Sequence, residues 1–120
     1  MVDFSVFEYC YRDAANYKVY GQLLLKGSAS FTEIRKMQTH FESGDYFIAE
    51  QLGIPALYDE LWALSGGPTA DDHVWHTFHK LRSASSQETT AHVFDTANNL
   101  ISKILAVRAW NQTLSPHWDK

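Results

Sequence analysis

The sequence contains a single cysteine, three prolines and six glycines among its 120 residues. One cysteine, Cys10, excludes a disulfide within the chain and is typical of a reducing compartment. The low content of proline and glycine, with no long polar tract, argues against extended disorder. A chain of this length forms one domain and buries about two-thirds of the surface that it exposes when unfolded. Aromatic residues make up 14%, so we expect a packed core that needs neither a disulfide nor a metal.

Long hydrophobic runs are also missing. The longest apolar patch, residues 21–25, has the length of a strand, whereas a membrane-spanning helix needs about 20 residues. Residues 1–4 show neither the basic region nor the apolar stretch of a signal peptide. We therefore expect a cytoplasmic protein that does not associate with a membrane.

Positive charge is scarce as well. Ten Lys and Arg residues are outnumbered by 14 Asp and Glu residues, which gives a formal net charge of −4. Nucleic-acid binders normally carry a basic patch that displaces counterions from phosphates. Beside the histidines, only Lys80 and Arg82 hint at such a patch. The charge distribution argues against a nucleic-acid partner.

The first part of the chain has the pattern of a β-hairpin. Residues 3–11 alternate aromatic and apolar side chains with a period of two, as in a strand. Residues 12–16 follow as a turn, in which Asp13 folds back onto backbone amides. Residues 17–26 then resume the strand pattern.

Helical signals come next. Ser30 and Glu33 form a capping box, and apolar side chains at helical spacing continue this helix to residues 43–44. Residues 45–52 fit a strand or a helix, and we favour a strand because glycines lie on both sides. Residues 55–65 form a short helix that begins at a proline.

The last two elements differ in how clearly the sequence defines them. Residues 74–82 fit either a helix or a strand, and their Val, Trp, Thr and Phe content favours a strand. An apolar stripe over residues 93–108 predicts a helix, capped from Thr90 or Asp95 and ending near Asn111.

The resulting order is β-β-α-β-short α-β-α. It predicts an α+β fold with about four mostly antiparallel strands and two amphipathic helices packed on one face. We place a single domain over residues 1–114 and a C-terminal tail over residues 115–120.

Residues 71–79 concentrate the groups that are able to titrate or bind metal. They hold three of the six histidines, spaced three apart, behind two aspartates. Asp72, His73, His76 and His79 are candidate ligands for zinc or another divalent ion. On a helix these side chains would lie near one another, but on a strand His76 points away from His73 and His79. The favoured strand therefore weakens the metal hypothesis, and we expect no cofactor.

The same stretch supplies candidates for acid–base catalysis. His73 or His76 would act as the base, and Asp72 or Asp13 as the carboxylate that orients it. Arg12 and Asp13 form a second candidate pair. The nearby serines lack a Gly-x-Ser-x-Gly context. We favour the simpler interpretation, in which the histidines are surface or half-buried groups.

Residues 11–18 read Tyr-Arg-Asp-Ala-Ala-Asn-Tyr-Lys, and residues 72–78 read Asp-His-Val-Trp-His-Thr-Phe. These two blocks resemble those of a family of small, uncharacterised bacterial proteins, with the patterns Tyr-Arg-Asp-Ala-x-Asn-Tyr-Lys and Asp-His-x-Trp-His-x-Phe. The resemblance implies a folded bacterial domain and supplies no activity. It also implies that polar residues of the two blocks converge, as a site or as a network that holds the hairpin to the sheet. We favour the network. These residues are Arg12, Asp13, Asn16, Asp72, His73 and His76.

The acidic charge, the small size and the missing catalytic signature favour a non-catalytic bacterial binding protein. Its partner would be another protein, as for an inhibitor, an immunity protein or an anti-defence protein. Trp62, Trp110 and Tyr17 are candidate interface residues, since aromatic residues are frequent at binding hot spots. The alternative is a metal- or histidine-dependent hydrolase or nuclease that uses the cluster of Asp72, His73, His76 and His79. A homodimer with the final helix and Trp110 at its seam is a third hypothesis.

Overall fold

The structure is a computed structural model that describes residues 3–69 and 72–118. The strands are β1 (Phe4–Arg12), β2 (Lys18–Lys26), β3 (Tyr46–Phe47), β4 (His76–Ser83) and β5 (Val93–Thr96). The α-helices are α1 (Phe31–Gln38), α2 (Ala49–Leu52), α3 (Tyr58–Ser65) and α4 (Ala97–Leu105). Short 3-10 helices lie at Glu88–Thr90 and Gln112–Leu114. Across the described ranges, no helix is both long and apolar enough to cross a membrane.

The strands form one sheet in the order β3-β4-β1-β2-β5. β1 lies at the centre and pairs antiparallel with β2 on one side and with β4 on the other. β3 extends the sheet beyond β4 in antiparallel orientation, and β5 pairs parallel with β2. A mainly antiparallel sheet combined with separate helices confirms the predicted α+β class.

Alternate residues of β1 form the centre of the hydrophobic core. Phe7, Tyr9 and Tyr11 are each at most 2% exposed. Full burial of one such side chain stabilises the fold by about 1.5–3 kcal/mol. The buried strand residues of the two core clusters all lie on this inner side of the sheet. All four helices contribute buried side chains to the same clusters, including Met37, Leu52, Tyr58, Trp62, Leu100 and Ile104.

The opposite, outer face of the sheet is covered at one end. There Val6 and Leu24, which are paired across β1 and β2, are 2% and 5% exposed. Arg82 of the same face binds Glu8 and forms two hydrogen bonds to Glu88, at 2.8 and 2.7 Å. Because Glu88 belongs to the crossover between β4 and β5, this ion pair holds the crossover against the covered end.

The predicted strand over residues 45–52 is wrong for most of its length. Only Tyr46–Phe47 is a strand, and Ala49–Leu52 forms a helical turn. Gly53 ends that turn with a φ of 69°, and the N–H of Ile54 donates to the carbonyl of Ala49 at 3.0 Å. A glycine after an apolar segment is as typical of a helix C-terminus as of a strand boundary, which explains the error.

Both ends of the predicted final helix are also wrong. Val93–Thr96 is the strand β5, and the helix covers only Ala97–Leu105. Its N-cap is Thr96, whose hydroxyl accepts from the N–H of Asn99 at 3.1 Å, instead of Thr90 or Asp95. The first helix likewise ends earlier than expected, at Gln38, although its capping box is confirmed.

Residues 115–118 of the predicted tail pack against α3. Ser115 is 2% exposed, and its hydroxyl shares a 2.7 Å hydrogen bond with the hydroxyl of Tyr58. The Nε2 atom of His117 lies 2.9 Å from Oδ1 of Asp59. The remainder of the tail, residues 119–120, lies outside the described residues, and the domain boundary at residue 114 stays a prediction.

Gly21 leaves room for the ring of Tyr9, with which it is paired in register. A Cβ atom at residue 21 would lie 2.9 Å from the Tyr9 ring and 2.9 Å from Cδ2 of Leu57. The Tyr9 hydroxyl donates to the carbonyl of Pro55 at 2.7 Å, so the ring is held at both ends and cannot shift without losing this bond.

We expect Gly21→Ala to lower the free energy of unfolding by about 1–3 kcal/mol, the usual cost of overpacking. This cost outweighs the gain of roughly 0.5–1 kcal/mol from restricting the unfolded backbone. Urea denaturation measures the change, with Gln22→Ala at the exposed neighbouring position as the control. A Gly21→Ala protein as stable as the wild type would show that the Tyr9 ring is not confined.

Candidate functional site

Asp72 connects the loop before β4 to the tip of the β1–β2 hairpin. Its Oδ1 atom accepts from the N–H of Ala14 at 2.8 Å. Its Oδ2 atom accepts from the N–H of Thr69 at 2.7 Å and from the Thr69 hydroxyl at 3.3 Å. Asp72 is only 6% exposed. The carboxylate therefore stabilises the fold by satisfying backbone donors of two separate segments.

The hairpin turn itself is closed by Asp13. Its Oδ1 atom accepts from the N–H of Tyr17 at 2.9 Å, and its own N–H donates to the carbonyl of Tyr17 at 3.0 Å. Asn16 adopts the left-handed conformation, with a φ of 69°, which asparagine tolerates better than most residues. Arg12 lies exposed at the end of β1, away from these hydrogen bonds.

His73 adds a second connection between the same two segments. The hydroxyl of Tyr11 donates to the carbonyl of His73 at 2.5 Å, and their rings lie 5.3 Å apart. Burial, with Asp72 and Asp13 nearby, raises the pKa of Tyr11, so the hydroxyl keeps its proton and donates. Hydrogen bonds between the two blocks are therefore made by Asp72 and by the carbonyl of His73, whereas Asp13 bonds within its own turn and His76 bonds to the N–H of Leu57.

His76 lies inside the core, between α3 and the sheet. It is 0% exposed, with the rings of Tyr11 and Tyr58 each 5.3 Å from its own. Its Nε2 atom accepts from the N–H of Leu57 at 2.9 Å, so the neutral ring carries its proton on Nδ1. Among the described residues, Nδ1 has no hydrogen-bond partner.

Burial lowers the pKa of His76 to about 4, because the charged ring would lose its solvation. An interaction with the Val74 backbone opposes this shift, and His73 adds to it. His76 is therefore neutral at pH 7, and no solvent or substrate reaches it in this structure.

His79 lies on the other side of the sheet from His76. It is exposed on the outer face, with its ring 6.1 Å from that of Tyr20. The alternation of side chains along β4 separates the two histidines, while both oxygens of Asp72 accept backbone hydrogens. No three His, Cys, Asp or Glu side chains in residues 3–69 and 72–118 are arranged to hold a metal ion. The candidate catalytic and metal residues are thus not brought into one cleft.

The three candidate interface residues have different surroundings. Trp62 is 5% exposed and stacks on Tyr58 in the core, with ring centroids 4.7 Å apart. Trp110 is half-buried, and its Nε1 donates to the carbonyl of His40 at 2.9 Å. Tyr17 is 61% exposed at the hairpin turn, so it is the most accessible of the three.

The outer face carries a row of four paired residues with a tyrosine at each end, and this row was not predicted from the sequence. Tyr46, Thr77, Cys10 and Tyr20 are aligned across β3, β4, β1 and β2. The tyrosines at its ends are 36% and 63% exposed. We call these four residues and His79 the open face. Alternation along the hairpin could have predicted that Cys10 and Tyr20, which are paired across β1 and β2, lie on the same face.

Cys10 lies in the middle of the open face but is nearly inaccessible, at 8% exposed. Burial raises the pKa of its thiol, and a hydrogen bond from Thr77 together with Lys18 and Arg12 opposes this rise. The thiol is therefore protonated at pH 7, and a buried, protonated thiol is a poor nucleophile.

Exposed cations border the open face. Arg12 and Lys18 are paired at the hairpin end, and Lys80 is paired with Glu8. Glu8 itself binds Arg82. The border is consequently positive at the hairpin end and beside Lys80, but negative at the β3 end, where the exposed Glu42 is paired with Tyr46.

A hollow of about 1000 Å³ lies between the segment after α1 and the segment after α4. Its polar groups contact each other: Trp110 donates to the carbonyl of His40, and Nδ1 of His40 is 3.4 Å from the carbonyl of Val107. This hollow offers no buried polar group that lacks a partner.

No family model, no curated protein and no solved structure matches the chain. The resemblance to small bacterial proteins stays a prediction.

We expect Asp72→Ala to lower the free energy of unfolding by about 1.5–3 kcal/mol, because it leaves the N–H groups of Ala14 and Thr69 without their acceptor. Hydrogen exchange at the amide of Ala14 should become faster. Glu60→Ala, an exposed carboxylate on α3, serves as the control and should change stability by less than about 0.5 kcal/mol. Unchanged exchange at Ala14 would contradict the role of Asp72.

The depressed pKa of His76 predicts a specific dependence of stability on pH. Above pH 6.5 the ring is neutral in both states; as the pH falls from 6.5 to about 4, the unfolded state gains a proton that the folded state does not. His76 therefore destabilises the fold by about 3 kcal/mol near pH 4.

In His76→Gln, which retains an acceptor for Leu57, this part of the acid sensitivity should disappear. Urea denaturation at a series of pH values measures it, with the exposed His92→Gln as the control. If the stability of His76→Gln falls as steeply between pH 6.5 and 4 as that of the wild type, His76 is not a neutral core residue.

Proposed function

We propose that the protein binds another protein through the open face of its sheet, without chemistry of its own. The observation that carries this proposal is the pair formed by Tyr20 and His79, which stands exposed on two neighbouring strands. Aromatic side chains are enriched in protein–protein interfaces and depleted elsewhere on surfaces. The inner face of the sheet packs against the core, which makes the backbone of Tyr20 rigid. Little conformational entropy is therefore lost at Tyr20 on binding.

The charges beside β1, β2 and β4 on the border of the open face support a partner that is acidic where it meets them. Arg12, Lys18 and Lys80 are exposed along its border, and opposite charge on a partner accelerates association and fixes orientation. A typical interface buries about 800 Å² on each partner, which is compatible with a patch that spans four strands. A protein that acts only by covering such a surface fits the role of an inhibitor, an immunity protein or an anti-defence protein.

The alternative of a hydrolase or nuclease has less support. It requires His76 and His79 on one side of β4, and the strand places them on opposite sides. His76 is also fully buried. No geometric observation within the described residues favours this alternative over binding.

Quantitative affinity capture from a lysate tests the proposed function. A protein retained by the wild-type chain should bind at least about tenfold more weakly to the double variant Tyr20→Ala and His79→Ala, since losing a hot-spot residue costs about 1.4 kcal/mol or more. Leu64→Ala, which removes an 86% exposed side chain on α3, is the matched control and should bind as the wild type does.

Nuclease treatment of the lysate separates protein partners from nucleic acid. Retention that disappears with nuclease, or that is the same for the wild type and the double variant, would overturn the proposal. Loss of retention in Leu64→Ala alone would place the interface on α3 instead.

A further inference from the structure

A cleft of about 370 Å³ lies at the β3 edge of the sheet, lined by Glu42, Tyr46, His73 and Trp75. Two of these residues are held opposite each other by the turn before β3. The N–H of Glu42 donates to the carbonyl of Tyr46 at 2.8 Å, and the N–H of Tyr46 donates back at 2.9 Å. Directly paired residues project their side chains to the same side. The turn therefore places a carboxylate beside a phenol ring.

The turn that makes this arrangement is unusual in its backbone. Ser43 and Gly44 have φ values of 53° and 84°, and a serine in the left-handed region is uncommon. The N–H of Phe78 also donates to the carbonyl of Asp45 at 2.7 Å, which attaches the turn to β4. Such a conformation persists only where the surrounding contacts determine it, and here those contacts fix the position of Glu42.

The other wall of the cleft comes from the segment just before β4. The backbone N–H of Trp75 donates to Nδ1 of His73 at 2.9 Å, which orients the His73 ring. Trp75 is half-buried next to the fully buried His76 and packs against the core, which restricts the movement of its side chain.

The chemistry of the lining selects one class of ligand. Among the described residues of the lining, two aromatic rings and one carboxylate attract a positive charge, and none is a Lys or an Arg. Tryptophan and tyrosine faces bind ammonium groups through their π-electrons, most strongly when the cation carries methyl groups that pack on the rings. A single carboxylate among aromatic walls is a poor site for a bare divalent ion, which needs several oxygen or nitrogen ligands.

We propose that this cleft binds an alkylammonium group, with Trp75 and Tyr46 against its methyl or methylene groups and Glu42 balancing its charge. The group belongs either to a lysine side chain of a protein, methylated or not, or to a free quaternary amine. The cleft shares Tyr46 with the open face, but binding of an alkylammonium group in the cleft does not depend on the proposed protein partner. A failure of affinity capture would leave this site intact, and the converse also holds.

NMR titration of the ¹⁵N-labelled chain tests the site directly, because each of the four tryptophans gives a separate indole signal. The Trp75 signal is assigned from a Trp75→Phe sample. Choline is the charged probe, and 3,3-dimethylbutan-1-ol, which replaces its nitrogen by carbon, is the neutral probe. We expect the Trp75 indole signal to shift as choline is added and to reach saturation. The affinity of the protein for the neutral alcohol should be at least about tenfold lower than its affinity for choline.

Two variants identify the groups responsible. Glu42→Gln keeps the shape of an exposed side chain and removes its charge, so the protein stays folded while choline affinity falls at least about tenfold. Glu60→Gln, which removes the charge of an exposed carboxylate on α3, is the matched control and should leave choline affinity unchanged. Equal binding of the alcohol and choline, or unchanged affinity in Glu42→Gln, would overturn the proposal.

A peptide containing Nε-trimethyllysine distinguishes the two sources of the cation. Tighter binding of the peptide than of choline supports a protein side chain as the ligand. Tighter binding of choline supports a free quaternary amine. The absence of a saturable shift at Trp75 with either probe would refute the site.

Discussion

The burial of Phe7, Tyr9 and Tyr11 on one side of β1 determines how the rest of the chain is arranged. Three aromatic rings on the central strand require an apolar layer above them, and the helices supply it on that side only. The two tyrosine hydroxyls require acceptors, which they find in the carbonyls of Pro55 and His73. Burial raises the pKa of both tyrosines, so both remain donors. One strand thereby fixes the loop before α3 and the loop before β4, and leaves the other face of the sheet open.

Local patterns predicted the parts of the fold that local interactions stabilise. The hairpin follows from alternation, and α1 follows from the capping box at Ser30. β5 was missed because Val93–Thr96 is a strand only through its pairing with β2, which lies far away in the sequence. Its apolar side chains are in phase with the helix that follows, so periodicity cannot separate the two elements. Propensity fails where a distant strand supplies the hydrogen bonds.

The histidine-rich stretch shows the same limit for a site. A spacing of three positions between histidines implies proximity on a helix, but side chains alternate along β4, so His76 lies in the core and His79 at the surface. The hydrogen bond from the N–H of Ala14 to Asp72 joins two sequence blocks that were expected to converge. The donor is a backbone N–H, which nearly every residue type has, so the sequence could not identify Ala14 as the partner. The open face could not be predicted, because its row depends on the register of four strands.

The central position of β1 has a consequence for synthesis on the ribosome. β1, β2 and α1 emerge long before β4 and β5, so the nascent hairpin exposes aromatic rings and an unpaired edge while its neighbours are still unmade. A two-stranded hairpin is marginally stable by itself, and uncovered edges with apolar faces are the surfaces on which chains aggregate. The nascent chain therefore has the features of a chaperone substrate until β4 pairs with β1 and α4, which is synthesised after β4, completes the core.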